Sequence, residues 1–220
     1  MRAIVVDEPG GPEVLRLREV PDPEPGPGQV LVRVEAAGVN FADLVMRQGT
    51  TRTPFPLTPG LEGAGVVEAV GPGVDDARPG DRVAWAPVKG ASTIGAYAEL
   101  AVIGAGQALP VPGDLPLEVA AALPLQGLTA HYLATEQVPI GPDTTVLVHA
   151  AAGGTGRLVV QWCKHLGATV LATVSTEAKA AVATEAGADH VIRYDELDFV
   201  AEVKRLTDGR GADYIVDGVG

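Results

Sequence analysis

Thr145–Gly156 reads TVLVHAAAGGTG and decides how the second half of the chain folds. A β-branched and apolar run, Thr145 to Val148, enters a small-residue turn from Ala150 to Gly156, and an amphipathic pattern from Leu158 to Leu166 follows at once. Strand, tight turn and helix N-terminus, in that order, are what a dinucleotide pyrophosphate requires. Small residues let the backbone approach the phosphates, and the N–H groups and dipole of the first helical turn offset their charge. The turn is Ala151-x-Gly153-x-x-Gly156, with Ala where the first glycine of GxGxxG would stand. The expected cradle is therefore Ala151, Gly153, Gly154, Thr155 and Gly156.

Working outward, the stretch after Leu125 alternates strands (about 145–149, 169–174, 190–193 and 213–217) with helices (about 127–137, 155–166, 176–186 and 196–207). That rhythm predicts βαβ units, right-handed crossovers and a parallel sheet with helices on both faces. Gly167, Gly187 and Gly211 fall just past helices, where a left-handed residue ends the turn. A full dinucleotide fold has six parallel strands, and this chain reaches Gly220 directly after the fourth, so the sheet is expected to be incomplete.

The first half differs. Short strands at Ala3–Val6, Val14–Glu19, Gln29–Ala36, Gly63–Val70 and Arg82–Trp85 are separated by turns rich in Pro, Gly and Asp, which predicts a barrel-like β domain over residues 1–124. Helical patches are expected near Phe41–Gln48 and Pro116–Leu123. The fold class is thus α/β, with the α/β part over 125–220.

Composition narrows the function. A net charge of −12 disfavours nucleic acid as a partner, since non-specific binding needs Lys and Arg to neutralise phosphates. No run approaches the roughly 18 apolar residues of a membrane span. Asp7 and Glu8 interrupt the N-terminal apolar run, which predicts no export signal, and Cys163 is the sole cysteine. A reducing cytoplasm is the expected location.

Seven blocks resemble the zinc-independent quinone oxidoreductases of the medium-chain dehydrogenase/reductase superfamily: GGPEVL (10–15), AAGVNFADLVMRQG (36–49), PGLEGAGVVEAVGPGV (59–74), PGDRVA (79–84), LPLQGLTAHYL (123–133), HAAAGGTG (149–156) and LGATVLATVST (166–176). The resemblance implies a GroES-like β domain followed by a Rossmann domain. It also implies a homodimer, whose interface the family builds largely from C-terminal segments that these residues lack.

Which nicotinamide cofactor is used should show at the end of the second Rossmann strand, where NAD-specific folds place an acid against the ribose. Here the strand ends Thr173-Val174-Ser175, and Lys179 follows. A neutral strand end beside a cation suits the 2′-phosphate of NADPH. Resemblance adds Tyr194, so Ser175, Lys179 and Tyr194 are the implied NADPH selectors. Lys179 reads equally well as a solvated helix charge, and Glu177 is close enough to blunt the preference.

Zinc members carry a Cys and a His where this chain has Asn40 and Leu61. Catalytic zinc needs three protein ligands, Cys163 is remote from that region in sequence, and His131, His149, His165 and His190 form no ligand pair. No metal is expected. The resemblance places Asn40 at the nicotinamide end and the substrate, and Thr129 against the cofactor. Asp43, three residues on, shares a helix face with Asn40 and either serves the reaction beside it or charges the helix N-terminus. Val45 and Thr51 stand where a bacterial branch has pocket tyrosines, which predicts a wider, less aromatic pocket. Arg157 either reaches the pyrophosphate or points to solvent.

The function implied is NADPH-dependent, zinc-free reduction of quinones or other α,β-unsaturated carbonyls by hydride transfer, with a small-molecule substrate. Reduction of enoyl thioesters and non-catalytic NADPH binding are the alternatives.

Overall fold

Arg2–Val5 (β1) and Arg16–Glu19 (β2) pair antiparallel, Arg2 opposite Glu19. Gln29–Ala37 (β3) follows, then the helix Phe41–Arg47 (α1) and strands Gly63–Val70 (β4), Arg82–Trp85 (β5), Leu100–Gly104 (β6) and Leu109–Pro110 (β7). Leu117–Ala121 (α2) completes this part. The computed structural model describes residues 1–51, 54–87 and 95–218. The chain divides into two units, Met1–Leu125 and Gln126–Gly220.

In the first unit an antiparallel sheet runs in the order β6-β3-β4-β5-β7. β3 alternates as a half-buried strand must: Val30 and Val32 are inside, while Arg33 faces outward to an ion pair with Glu68. Two register shifts, between Leu31 and Val32 and between Val34 and Ala36, bend β3 where it pairs with β4. Val30, Val32, Val67, Val83, Trp85, Ala101 and Ile103 form the core beneath. Ala64 and Ala84 pack on Ala120 and Ala121 of α2.

Two boundaries shift here for local reasons. Pro12–Val14 is a 3-10 turn, so the strand expected from Val14 begins at Arg16. Val6 leaves β1 and bridges to Leu57 instead. β6 and β7 were not anticipated: Leu100–Gly104 is one short apolar run among glycines and prolines, and only its pairing with β3 makes it a strand.

The second unit begins in the helix Pro124–Thr135 (α3) and then alternates: Thr145–Val148 (β8), Gly154–His165 (α4), Thr169–Val174 (β9), Glu177–Glu185 (α5), His190–Arg193 (β10), Phe199–Leu206 (α6) and Tyr214–Val216 (β11). All pairings are parallel, in the order β10-β9-β8-β11. β8 is buried on both faces. Val146 and Val148 meet Val159, Val160 and Cys163 of α4, while Leu147 joins Leu171, Ile192 and Val203 of α6 on the other side. Each fully buried valine contributes about 1.5–3 kcal/mol relative to exposure.

Capping sets the helix limits. Asp198 accepts from the backbone N–H groups of Val200 and Ala201, so the helix expected from 196 starts at Phe199. Thr176 caps α5 in the same way by accepting from Lys179 N–H. Gly167 and Gly187 follow helix ends in the left-handed conformation, at φ 91° and 105°. After α6 that place is taken by Asp208 and Gly209, and Gly211 lies further into the loop.

Two predictions concern stability. A Cβ at Gly65 would lie 2.0 Å from the Arg33 carbonyl oxygen, whereas one at Gly106 meets nothing within 4 Å. Gly65→Ala is expected to destabilise by about 1–3 kcal/mol and Gly106→Ala to stay within roughly 0.5 kcal/mol of the parent, as read by denaturant unfolding. The second concerns Asp189, whose carboxylate accepts from Lys164 Nζ and Val170 N–H at 2.8 and 2.7 Å. Burial opposes its ionisation, but these donors prevail and hold its pKa below the ordinary value. A depressed folded pKa stabilises above the unfolded value of about 3.9 and is lost as pH falls through the folded one. Asp189→Asn should therefore lower stability at neutral pH and flatten the acid limb below about pH 4, as measured by the pH dependence of the unfolding midpoint.

Candidate functional site

The second unit presents its candidate site at the carboxyl ends of β8, β9 and β10. β8 runs out through His149, Ala150 takes a positive φ of 49°, and Gly153 begins α4 as its N-cap. The turn is closed by Gly153 N–H on the Ala150 carbonyl at 2.9 Å. Arg157 N–H, bonded to the Gly153 carbonyl, marks the first complete helical turn, so the N–H groups of Gly154, Thr155 and Gly156 precede any intrahelical acceptor. α5 and α6 have side-chain caps; α4 is capped by a glycine, which has no side chain to occupy those donors. A Cβ at Gly156 would come within 2.4 Å of the Ala150 carbonyl oxygen, so helix and turn approach this closely only with glycine there. Gly154 is packed against Gln126 at the start of the unit, where a Cβ would overlap the amide oxygen.

A cavity of about 180 Å³ lies beside this turn. Gly153, Ser175, Lys179 and Tyr194 line it together with Ala150, Ala152 and Val174. Lys179 Nζ donates to Ser175 Oγ at 2.9 Å, which places the cation at the neutral strand end. Tyr194 is 51% exposed and is held by its N–H on the Val174 carbonyl. Glu177 pairs with Arg193 at 3.2 Å, so its charge is directed to that guanidinium.

Four of the residues expected from the sequence therefore share one cavity. Gly154, Thr155 and Gly156 form the adjoining helical turn, and Ala151 is buried beneath it. Thr129 is on the exposed side of α3 and does not line this cavity. Arg157 is exposed on α4. Ala150, Ala152 and Val174 were not anticipated as lining, because nothing in an Ala or Val reveals which way a turn faces.

Asn40 and Asp43 belong to the first unit. Asn40 is the N-cap of α1 and forms a capping box with Asp43, whose Oδ2 accepts from Asn40 N–H at 2.9 Å. Asp43 Oδ1 accepts from the N–H groups of Gly60 and Leu61, and the Tyr97 hydroxyl also donates to Oδ2. The buried Asp43 carboxyl thus has four donors on its two oxygens at the N-terminus of α1. Burial, then the Asp43 charge, pushes the Tyr97 phenol up to about 12. Flanking Asn40, Val39 and Phe41 are 72% and 80% exposed. Val45 is half-buried on α1 and Thr51 is exposed beyond it.

One residue of this cluster was missed. Glu62 is completely buried, with Oε1 accepting from Asn40 Nδ2 at 2.8 Å and Oε2 from Leu125 N–H at 2.7 Å. Burial raises its pKa, with the two hydrogen bonds opposing. Its only signal in sequence is an acid among the small residues that open β4.

Among the described residues no group of three or more His, Cys, Asp or Glu side chains is arranged to hold a metal ion. Cys163 is buried in the α4 core, its thiol raised to about 11 by burial. His131 and His165 pack against Trp162, and His149 meets Thr173 Oγ1 at 2.7 Å. No helix among the described residues is long and apolar enough to cross a membrane.

Comparison with known proteins agrees with this architecture. The alcohol dehydrogenase GroES-like domain matches residues 26–113, and the family described as zinc-binding dehydrogenase matches 154–220. A 2-haloacrylate reductase from a Burkholderia species is 42% identical over 99% of this chain and 66% of its own length. Quinone oxidoreductase 1 of Escherichia coli is 42% identical over 96% of this chain and 64% of its own. The chain thus spans slightly less than two thirds of these relatives. A mycobacterial protein solved in complex with NADPH superposes with a TM-score of 0.93 at 46% identity, covering all of this chain and 67% of that one. The chain belongs to the medium-chain dehydrogenase/reductase superfamily, alongside its quinone oxidoreductases.

Proposed function

We propose that this chain is the greater part of an NADPH-dependent reductase of quinones or other α,β-unsaturated carbonyls that works without zinc. The observation that carries the reading is the convergence of Gly153, Ser175, Lys179 and Tyr194 on one cavity beside a glycine-capped helix N-terminus. The cavity's fit to NADPH is chemical. Donors of the first turn of α4 suit a pyrophosphate, and the Lys179 ammonium on Ser175 Oγ, with no acid at that strand end, suits a 2′-phosphate. The NADPH-bound mycobacterial relative supports the same choice.

When bound, NADPH supplies the hydride, and the residues of this chain bind, orient and exclude water. Gly153, Gly154, Thr155 and Gly156, on the buried Ala151, hold the pyrophosphate; Ser175, Lys179 and Tyr194 hold the adenosine phosphate; Thr129 contacts the cofactor from α3. Asn40 meets the nicotinamide end and the acceptor, and Asp43 holds α1 so that Asn40 stays in place. Hydride transfer to a quinone leaves an anion that takes its proton from solvent, so the reading needs no dedicated acid and rests on alignment. Among the described residues zinc has no donor set: Leu61 is aliphatic, the Asn40 amide is bonded to Glu62, and Asp43 is filled by four donors.

Similarity to a 2-haloacrylate reductase favours a second acceptor class within the same reading, conjugated carboxylates. The homodimer of the family, a small-molecule acceptor as the other partner and a cytoplasmic location belong to the same proposal.

Fluorescence titration with NADPH and NADH tests the cofactor assignment. NADPH is expected to bind at least about tenfold more tightly, a difference of roughly 1.4 kcal/mol. Lys179→Ala should remove most of that preference and leave NADH affinity unchanged. Equal affinity for the two cofactors in the parent chain would overturn the assignment. Oxidation of NADPH by benzoquinones but not by 2-chloroacrylate would identify the acceptor as a quinone, the converse as a conjugated carboxylate, and binding without any turnover as a non-catalytic role.

A further inference from the structure

Glu62 is used by no step above, and it is a fully buried acid whose two oxygens each meet one donor. One donor is the side-chain amide of Asn40, the residue assigned to the reacting end. The other is the backbone of Leu125, in the first turn of α3. Gly38 lies against the same carboxyl, since a Cβ there would sit 2.3 Å from Glu62 Oε1. Gly38 N–H also bonds the Glu62 carbonyl at 3.1 Å. The end of β3, the N-cap of α1 and the start of α3 are therefore all built around this one carboxyl.

An asparagine amide has two ends of similar size and opposite hydrogen-bonding character. Which end faces which way depends on its partner, and an ionised or neutral carboxyl oxygen can accept from Nδ2. We propose that Glu62 is a positioning residue for the Asn40 amide: it holds Nδ2 inward, together with the capping box of α1, so that the amide keeps a single orientation at the reacting end. The inference rests on the assignment of Asn40 made under Proposed function.

The site discriminates between Glu and Gln on elementary grounds. Two donors converge on Glu62, and a Gln offers one acceptor oxygen and one donor NH₂. Glu62→Gln must therefore turn its NH₂ toward Leu125 N–H, losing that bond, or toward Asn40, which then has to reverse its amide. The substitution is nearly isosteric, so packing against Gly38 is kept.

Asn40 is the only asparagine in the chain. Selective ¹⁵N labelling of asparagine side chains therefore yields one NH₂ pair, and its resonances report this contact with no activity required. Among the described residues the ionisable groups facing Glu62 are Asp43 and Tyr97, and neither is a cation. In the parent chain the Asn40 pair is expected to shift with pH along a curve that Glu62→Gln abolishes. Glu62→Gln should also move both NH₂ resonances at constant pH. A pair identical in parent and Glu62→Gln would overturn the proposal without need of a further variant.

Kinetics give the second readout. Glu62→Gln is expected to lower kcat about tenfold with NADPH affinity within twofold, and to have less than a twofold effect in an Asn40→Ala background. Equal losses in both backgrounds would make Glu62 a general structural acid and overturn its action through Asn40. Full activity in Asn40→Ala alone would remove Asn40 from the reacting end. That is a failure of the functional reading, distinguishable because the NMR coupling would persist.

Discussion

Position 156 has room for a hydrogen and nothing larger. The Ala150 carbonyl oxygen occupies the place a Cβ would take, and this close approach lets α4 begin immediately beside the end of β8. The rest of the second unit follows from that contact. It aims the first-turn N–H groups along the sheet's carboxyl edge and places Gly153 next to the ends of β9 and β10. A side chain at 156 would push helix from strand, and the cavity shared by Ser175, Lys179 and Tyr194 would lose the wall that Gly153 provides. The contact is steric, so no compensating polar interaction elsewhere restores it.

The first unit is organised by a different constraint, the cost of burying carboxylates. Asp43 and Glu62 lie inside the protein, and unpaired charges there would cost several kcal/mol each. Both are satisfied by donors, mostly backbone, drawn from separate segments: Asn40, Gly60 and Leu61 for Asp43, Asn40 and Leu125 for Glu62. Each acid thus draws loops together. Asn40 serves both, through its backbone N–H and its side-chain amide, which restrains a residue between the exposed Val39 and Phe41. On the proposed function, a precise polar group in an apolar, exposed setting is what would align a flat conjugated acceptor.

Much of this was legible in the sequence, and the reasons are local. Thr145–Val148, Gly153 and Leu158–Leu166 announce strand, turn and helix through patterns spanning a few residues each. β4, β5, β9 and β10 begin and end where their turn residues place them. Ser175 and Lys179 were readable as a pair because they lie four residues apart across one strand end and one helical turn. What stayed hidden depends on partners far away. Leu100–Gly104 is a strand because β3 lies alongside it, and Glu62 matters because residues 22 positions before and 63 after it bring it donors.

The amino-acid sequence alone determined the α/β class, the alternation after Leu125, the nucleotide-binding turn and the family, since each is written in short-range periodicity or in motif spacing. Only the tertiary structure decided which residues share a surface. It put Tyr194 beside Lys179, gave Asp43 to four donors and turned the Asn40 amide onto Glu62. The physical reason is that hydrogen-bond satisfaction of buried groups is a condition on the whole fold. A carboxyl's partners are set by where distant backbone comes to rest, and no window of neighbouring residues carries that information.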